Sequence, residues 1–294
     1  MKHTSLKKVS VFTIINVSFL ILSALLCIIP LMHILAVSFS SSSAAAAGKV
    51  ILWPVDFSLY SYAYVAKRAA FWQSMLVSVE RIALGGFINL FLTILCAYPL
   101  SKESSEFRFR TFYAWTFFIT MLFSGGLIPW YIVIKQAGLI DSIWALVLPG
   151  AVPVFSVILM LNFFREVPKE LSEAAFIDGA GHWTTLWRIF VPVSTPALAT
   201  IALFSLVGHW NSWFDGLILM NKPDNYPLQS YIQTIVVQRS YSMLSRQEIS
   251  ELATVSDRTL RSSQIFLGSL PILLVYPFLQ KYFVKGIVLG SVKG

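Results

Sequence analysis

The sequence predicts an all-α polytopic membrane protein, with six transmembrane helices and one long helical loop on the cytoplasmic side. Three observations carry that prediction. Hydrophobic residues make up 56% of the chain and charged residues only 12%, with a mean hydropathy of +0.72, a balance foreign to ordinary soluble domains. Apolar runs long enough to cross a bilayer as helices, ~20 residues each, recur at 9–37, 74–100, 111–134, 143–163, 197–220 and 265–284. Between the fourth and fifth runs lies Leu171–Pro196, a polar and amphipathic stretch that must sit in water at one membrane face. Residues 1–294 therefore read as a single membrane domain, with 164–196 a cytoplasmic loop and 221–264 an extracytoplasmic one.

Lys2, Lys7 and Lys8 precede the first run. A secretory leader has the same positive start but an apolar core of only about 7–15 residues. The run is therefore expected to be an uncleaved span that starts in the cytoplasm, by the positive-inside rule. Residues 38–72 form an outer segment, rich in Ser and Ala at first and then reading WPVDFSLYSYAYV. The second span carries Glu80 and Arg81, neighbours that point ~100° apart on a helix and cannot pair with each other. A charge at mid-membrane costs about 2.5–3.5 kcal/mol on insertion scales. Near the outer end of the span, the two are expected to snorkel or to cap a subunit contact rather than to line a path.

Gly125-Gly126 and Pro129 interrupt the third span. Irregular backbone at membrane depth is tolerated only against protein or a water-filled cavity, so FSGGLIPWY is a packing kink, the favoured reading, or part of a path. The outer loop KQAGLIDS leads to a fourth span with Pro149, Gly150 and Pro153. The fifth holds His209, Trp210, Asn211, Trp213 and Asp215. On a continuous helix Asn211 and Asp215 share a face, and Trp210 neighbours Trp213. Flat aromatics beside amide and carboxylate groups suit a sugar, with its apolar ring faces and hydroxyl edges. An outer aromatic belt with ordinary interhelical hydrogen bonds accounts for the same residues equally well. Trp210, Asn211, Trp213 and Asp215 are thus the candidates for a substrate path.

In the long outer loop, Pro227 opens a helix over PLQSYIQTIVV with Leu228, Ile232 and Ile235 on one stripe. The last span contains Pro271 and Pro277, and the sequence ends in KGIVLGSVKG. With both termini inside, twelve of the 22 Lys and Arg fall on the cytoplasmic segments, which are the shorter in total. That bias puts the 164–196 loop in the cytoplasm.

Within that loop a short helix opens near Pro168 and breaks at Gly179, and a second is expected to stop before Pro192. Ala174 and Ala175 leave little bulk around Glu173, so the first helix can bed deeply into a groove with one charge to pair. Glu173-Ala174-Ala175, Gly179, Ile189 and Pro192 stand in a register that resembles the coupling loop of bacterial ABC-importer permeases, departing with Val191 where Leu is usual. Asp178-Gly179-Ala180 resembles the carbohydrate-type form. FSGGLIPWY, WALVLPGAVPVF, NFFREVPKELSEAAFIDGAG and YPFLQKYFVKGIVLGSVKG extend the likeness over almost the whole length, toward permeases of polysaccharide or aldouronate type and the smaller maltose-system permease.

The resemblance implies a multi-pass subunit of the cell membrane that forms half of a translocation path for sugars or oligosaccharides. Its partners would be a second, different permease, two ATPase subunits and an extracytoplasmic sugar-binding protein. Glu173 would pair with a basic ATPase residue, Gly179 would allow the bend between coupling helices, and Pro192 would end the second. The tail, Gly290 to Gly294, would reach between the ATPase subunits.

Other classes are weighed by absence. No GxxxxGK[ST] phosphate loop is present, so ATP would be bound by a partner; HExxH and GxSxG are missing too. The four histidines are scattered, and Cys27 and Cys96 lie in apolar runs, which supports neither a metal site nor a disulfide framework. The expectation is a non-enzyme without cofactor or metal. The net charge of +8 comes without a basic, aromatic-interleaved run, so nucleic acid is not a partner. The alternatives are an ABC permease for a non-sugar cargo, an ion-gradient-driven secondary transporter, for which the internal repeat is lacking, and a membrane-anchored assembly protein.

Overall fold

A computed structural model describes residues 11–234 and 256–291, and among them every regular element is helical. Lys2, Lys7, Lys8, Ile235 and the end of the Gly290–Gly294 tail lie outside the described residues. The chain forms two units, Met1–Arg68 with Tyr241–Ser269, and Ala69–Ser240 with Leu270–Gly294.

The first unit is built on α1 (Val11–Ser38), in which only Ala36, Val37 and Ser38 are buried. Its large apolar side chains from Val11 to Leu31 are exposed, the surface of a helix made for lipid rather than water. Past Ser38, serine hydroxyls take over the backbone's hydrogen bonds and the helix gives way to turns. Ser40 Oγ donates to Ala36 O at 2.7 Å, and Ser41 caps α2 (Ser42–Ala46) by accepting from Ala44 N. From α3 (Tyr60–Ala66), Ser61 Oγ donates to Ser38 O and Tyr62 OH meets Ser38 Oγ at 2.7 Å. Burial pushes the Tyr62 phenol up, and its hydrogen bond to Ser38 opposes the shift.

The second unit is organised around α4 (Ala69–Ser101), which packs on α8 (Val154–Glu166) and α12 (Thr195–Asn211) through Ile94, Ala97, Met160, Phe164 and Ile201. Between α4 and α8 run α5 (Arg110–Leu122), α6 (Leu127–Gln136) and α7 (Ile143–Val147), the last continued by a 3-10 turn at Leu148–Gly150. α9 (Lys169–Ile177), α10 (His182–Thr185), a π turn (Leu186–Phe190) and α11 (Val191–Val193) lead from α8 to α12. α13 (Phe214–Leu219) and α14 (Leu228–Ile232) follow α12.

The apolar runs are more broken than the sequence suggests. The third is no mild kink: α5 and α6 are bent by 113° around Gly126, whose φ of +84° suits glycine alone. The fourth bends by 47° where Pro149 and Pro153 withhold donors from the helix ladder. The fifth is not one helix, because α12 ends at Asn211 and α13 starts at Phe214. Pro192 does not end the second loop helix either. Helical backbone runs through it to Val193 and turns by 82° into α12. The physical reason lies one turn upstream: a proline clashes with the carbonyl of residue i−4, here Arg188, and the wider π turn moves that carbonyl aside. By length and composition α1 and α4 qualify as spans, and up to five spans result if each bent pair counts as one. The sixth expected run falls within the C-terminal helix Asp257–Ser291.

The two ends of α4 are marked by different neighbours. Near its start, Leu228 N donates to Ser78 Oγ at 2.7 Å. At its end, Arg165 donates to Leu100 O, and Tyr98 OH meets His182 Nδ1 at 3.3 Å. From Ser78 to Leu100 is ~33 Å at ~1.5 Å per residue, close to the ~30 Å of bilayer hydrocarbon.

Candidate functional site

Arg81, on α4, is 3% exposed. It does not snorkel. Its Nη1 donates to Asp215 Oδ1 at 3.2 Å, and its Nη2 pairs with Asp215 Oδ2. Nη1 also reaches Ser212 O at 3.3 Å, Nη2 reaches Leu146 O at 3.4 Å, and Nε reaches His209 Nδ1 at 3.4 Å. A histidine that accepts at Nδ1 from an arginine carries its proton on Nε2, and that nitrogen donates to Asn89 Oδ1 at 2.8 Å. Ser205 Oγ donates to the same oxygen at 2.7 Å. Asn89 Nδ2 donates in turn to Gly150 O and Ala151 O at 2.7 and 3.0 Å.

The network has a structural logic. The breaks after α7, α12 and the Pro149 turn leave carbonyls without helical donors, at a cost of several kcal/mol each in a lipid-like interior. Arg81 and Asn89 supply those donors. Gly85 lies one turn from each of them on α4, and a Cβ there would lie 2.5 Å from His209 Nε2. The stripe Arg81, Gly85, Asn89 at i, i+4, i+8 is the sequence signal for this face; the adjacent Glu80 is exposed and points elsewhere.

A cavity of about 510 Å³ opens onto this network, lined by Arg81, Asn89, Trp130, Ser205, His209 and Asp215. A wider groove of about 910 Å³ adjoins it through Trp130, Ser212 and Asp215, and takes in Gly125 and Gly126. Of the four residues singled out in the fifth run, Asp215 reaches this polar space. Trp210 is buried and turns away, into an apolar pocket with Val79, Leu206, Pro271 and Val275. Asn211 and Trp213 are exposed, and Trp213 stands edge-on to Phe214. The helix break removes the periodicity that put Asn211 and Asp215 on one face. Arg81, Asn89, Trp130 and Ser205 are the lining residues that sequence reasoning missed, since they come from three different runs, the second, third and fifth.

The loop residues singled out in the sequence lie at the far end of α4. Glu173 and Ala174 are exposed on α9 and Ala175 is buried. Asp178 and Gly179 are exposed at the turn, where Gly179 has φ +80° and open space around it. Ile189 packs partly buried against the core, and Pro192 is exposed. Ile177, one turn from Glu173 on α9, is 86% exposed, and Trp183 is 62% exposed.

Behind that surface the loop is keyed to α4 by rings. Tyr98, Phe164 and Phe190 meet edge to face, and Phe176 meets His182 at 5.0 Å between ring centroids. Lys102 Nζ sits 4.8 Å over Tyr98 and 4.9 Å over Phe190, a cation held by ring faces. Burial pushes its ammonium down, and Glu106 opposes the shift. Glu103 pairs with Lys169, and that hydrogen bond holds the carboxyl below the usual carboxylate range and the ammonium above the usual lysine range. The bridge is therefore fully charged across neutral pH, but it is exposed and contributes little.

The family described as binding-protein-dependent transport system inner membrane component matches residues 8–289. The chain is 38% identical over 283 residues to the polygalacturonan/rhamnogalacturonan transport system permease protein YtcP of Bacillus subtilis (strain 168), covering 96% of this chain and 98% of that one. It is 29% identical to the lactose transport system permease protein LacG of Rhizobium radiobacter, over 95% of this chain and 96% of the relative. Among solved structures, a chain from a bacterial ABC transporter involved in the import of the acidic polysaccharide alginate matches with a TM-score of 0.86 at 31% identity, over 93% of this chain and 96% of that one. With nearly every residue inside the match, the chain belongs to the binding-protein-dependent transport system inner membrane components, as a permease subunit of the membrane and not an enzyme.

Proposed function

We propose that the chain forms one half of the membrane path of an ATP-driven importer for oligosaccharides, uronic-acid polymers among them. The observation that carries the reading is the exposed loop end. α9 and α10 offer Glu173, Ile177 and Trp183 to a partner, while Lys102 and the rings behind them tie that end to α4. Movement imposed on the loop has a rigid route to the helix that carries Arg81 and Asn89 in the cavity wall. The names of the polygalacturonan and alginate relatives support the cargo class.

On this reading the chain crosses the membrane six times with both termini in the cytoplasm. A second, different permease completes the path, two ATPase subunits bind ATP and the loops, and an extracytoplasmic binding protein delivers the sugar. Glu173 pairs with a basic ATPase group, Gly179 sets the turn between the coupling helices, and Asp215 lines the path.

Uptake of labelled galacturonan oligomers into right-side-out vesicles tests this. Transport should require ATP inside, persist with a protonophore present, and fall at least tenfold in Glu173→Ala at unchanged membrane abundance. Uptake that follows a proton or sodium gradient instead would move the chain out of the ATP-driven class. Normal uptake by Glu173→Ala would remove that residue from coupling.

A further inference from the structure

Between α2 and α3 the chain drops back along α1. Ser41 N donates to Val55 O at 3.1 Å, Val55 N to Ser40 Oγ at 3.0 Å and Ser58 N to Phe39 O at 2.9 Å, so residues 55–58 run level with the end of α1. His33 Nδ1 donates to Ile51 O at 2.6 Å. His33 lies ~7.5 Å below Ser38 at ~1.5 Å per residue, and side chains of a helix lean toward its N-terminus. The hairpin tip is therefore more than one helical turn deeper than its closing leg. Val50, 5% exposed, and Val55 plug the two legs into a small core with Ala36, Val37, Ala44 and Ala45. The tip between them does the opposite: Ile51 is 72%, Leu52 37% and Trp53 77% exposed. Lys49 and Asp56 flank it, both exposed.

A tip that is apolar and tethered on both legs, pointing down beside a lipid-facing helix, continues that helix's own surface, where Ile28, Ile29 and Leu31 are each about half exposed. We propose that residues 49–56 form a membrane-seated wedge. Ile51, Leu52 and Trp53 enter the acyl and headgroup boundary of the leaflet at the C-terminal end of α1. Lys49 and Asp56 stay among the headgroups, and the His33 hydrogen bond sets the depth. Tryptophan suits that boundary because its ring is apolar and its indole N–H finds a polar partner. The wedge holds the end of α1 at a fixed height in the bilayer.

The test uses the full-length chain with the subunits that co-purify with it, in vesicles of phosphatidylethanolamine and phosphatidylglycerol. Cys27 and Cys96 are replaced by alanine, and nitroxide labels are placed at Leu52→Cys or Trp53→Cys. Leu25→Cys on α1 is the lipid reference and Ser43→Cys on α2 the water reference. The ratio of collisions with molecular oxygen to collisions with a nickel chelate should be several-fold higher at 52 and 53 than at 43, and near that at 25. A ratio like that of 43 would place the tip in water and overturn the wedge. Low collision rates with both reagents would show the tip covered by a protein partner, and would overturn it equally.

Discussion

The pairing of Arg81 with Asp215 decides how the cavity tolerates change. Arg81 is almost fully buried and Asp215 is 17% exposed, so removing one partner leaves a charge in a medium that cannot solvate it, at about 3–5 kcal/mol. Arg81→Met should lower the temperature of thermal inactivation of the detergent-solubilised protein sharply, as should Asp215→Leu. The double variant should recover part of the loss, because no charge then remains buried. It should not recover all of it. Leu146 O and Ser212 O lose their donor wherever Arg81 is replaced, the double variant included, about 1–3 kcal/mol for each buried group left unsatisfied. A double variant no better than the singles would mean that the carbonyl contacts, not the ion pair, hold this face together. The sequence made the charge legible but not its partner. Arg81 and Asp215 stand 134 positions apart, and the pairing depends on a helix break at Ser212 that hydrophobic periodicity does not register.

At the scale of elements, the loop was the more legible part. Pro168, Gly179 and the alanine pair announced a small helix and a turn, and α9 with Gly179 at φ +80° is that arrangement. The apolar runs were legible as runs and not as shapes: proline and glycine mark where a span can break, but the angle depends on which neighbour satisfies the freed carbonyls. Asn89 and Arg81 do so here. The course through Pro192 was misread because a π turn has no compositional signature. Gly179 offers the cleanest test at this scale. Nothing lies within 4 Å of a Cβ built there, so a substitution meets only the backbone penalty of the left-handed region, about 1–2 kcal/mol for alanine and less for asparagine. Gly179→Ala should therefore depress ATP-dependent uptake with membrane abundance kept, and Gly179→Asn should depress it less. Equal loss in both would mean that the side chain, not the turn, is what a partner rejects.

Across the whole second unit, hydrogen bonds at the two ends of α4 constrain the topology more tightly than hydropathy does. Arg165 and Lys169 bond to Leu100 and Glu103, so the connector after α4 and the loop after α8 share a side. Asp141 accepts from Asn221 N, Lys222 N and Asn225 Nδ2, so the loop after α6 shares a side with the segment after α13. The Asn225 hydrogen bond, with help from these neighbours, holds the Asp141 carboxyl below the usual range. Leu228 meets Ser78 near the start of α4, which puts that second side at the other end of a ~33 Å rod. The bent pair α5 and α6 then leads from one end of α4 to the other, as do α7 with α8 and α12 with α13. Single cysteines in a background without Cys27 and Cys96 check this. An impermeant maleimide added to intact cells should label Gln136→Cys and Asn221→Cys alike, and should reach Ile177→Cys only after permeabilisation. Gln136→Cys behaving like Ile177→Cys would mean that the 113° bend returns the chain to the side it came from. The cavity would then lose one wall, because Trp130 on α6 could not stand beside Asp215.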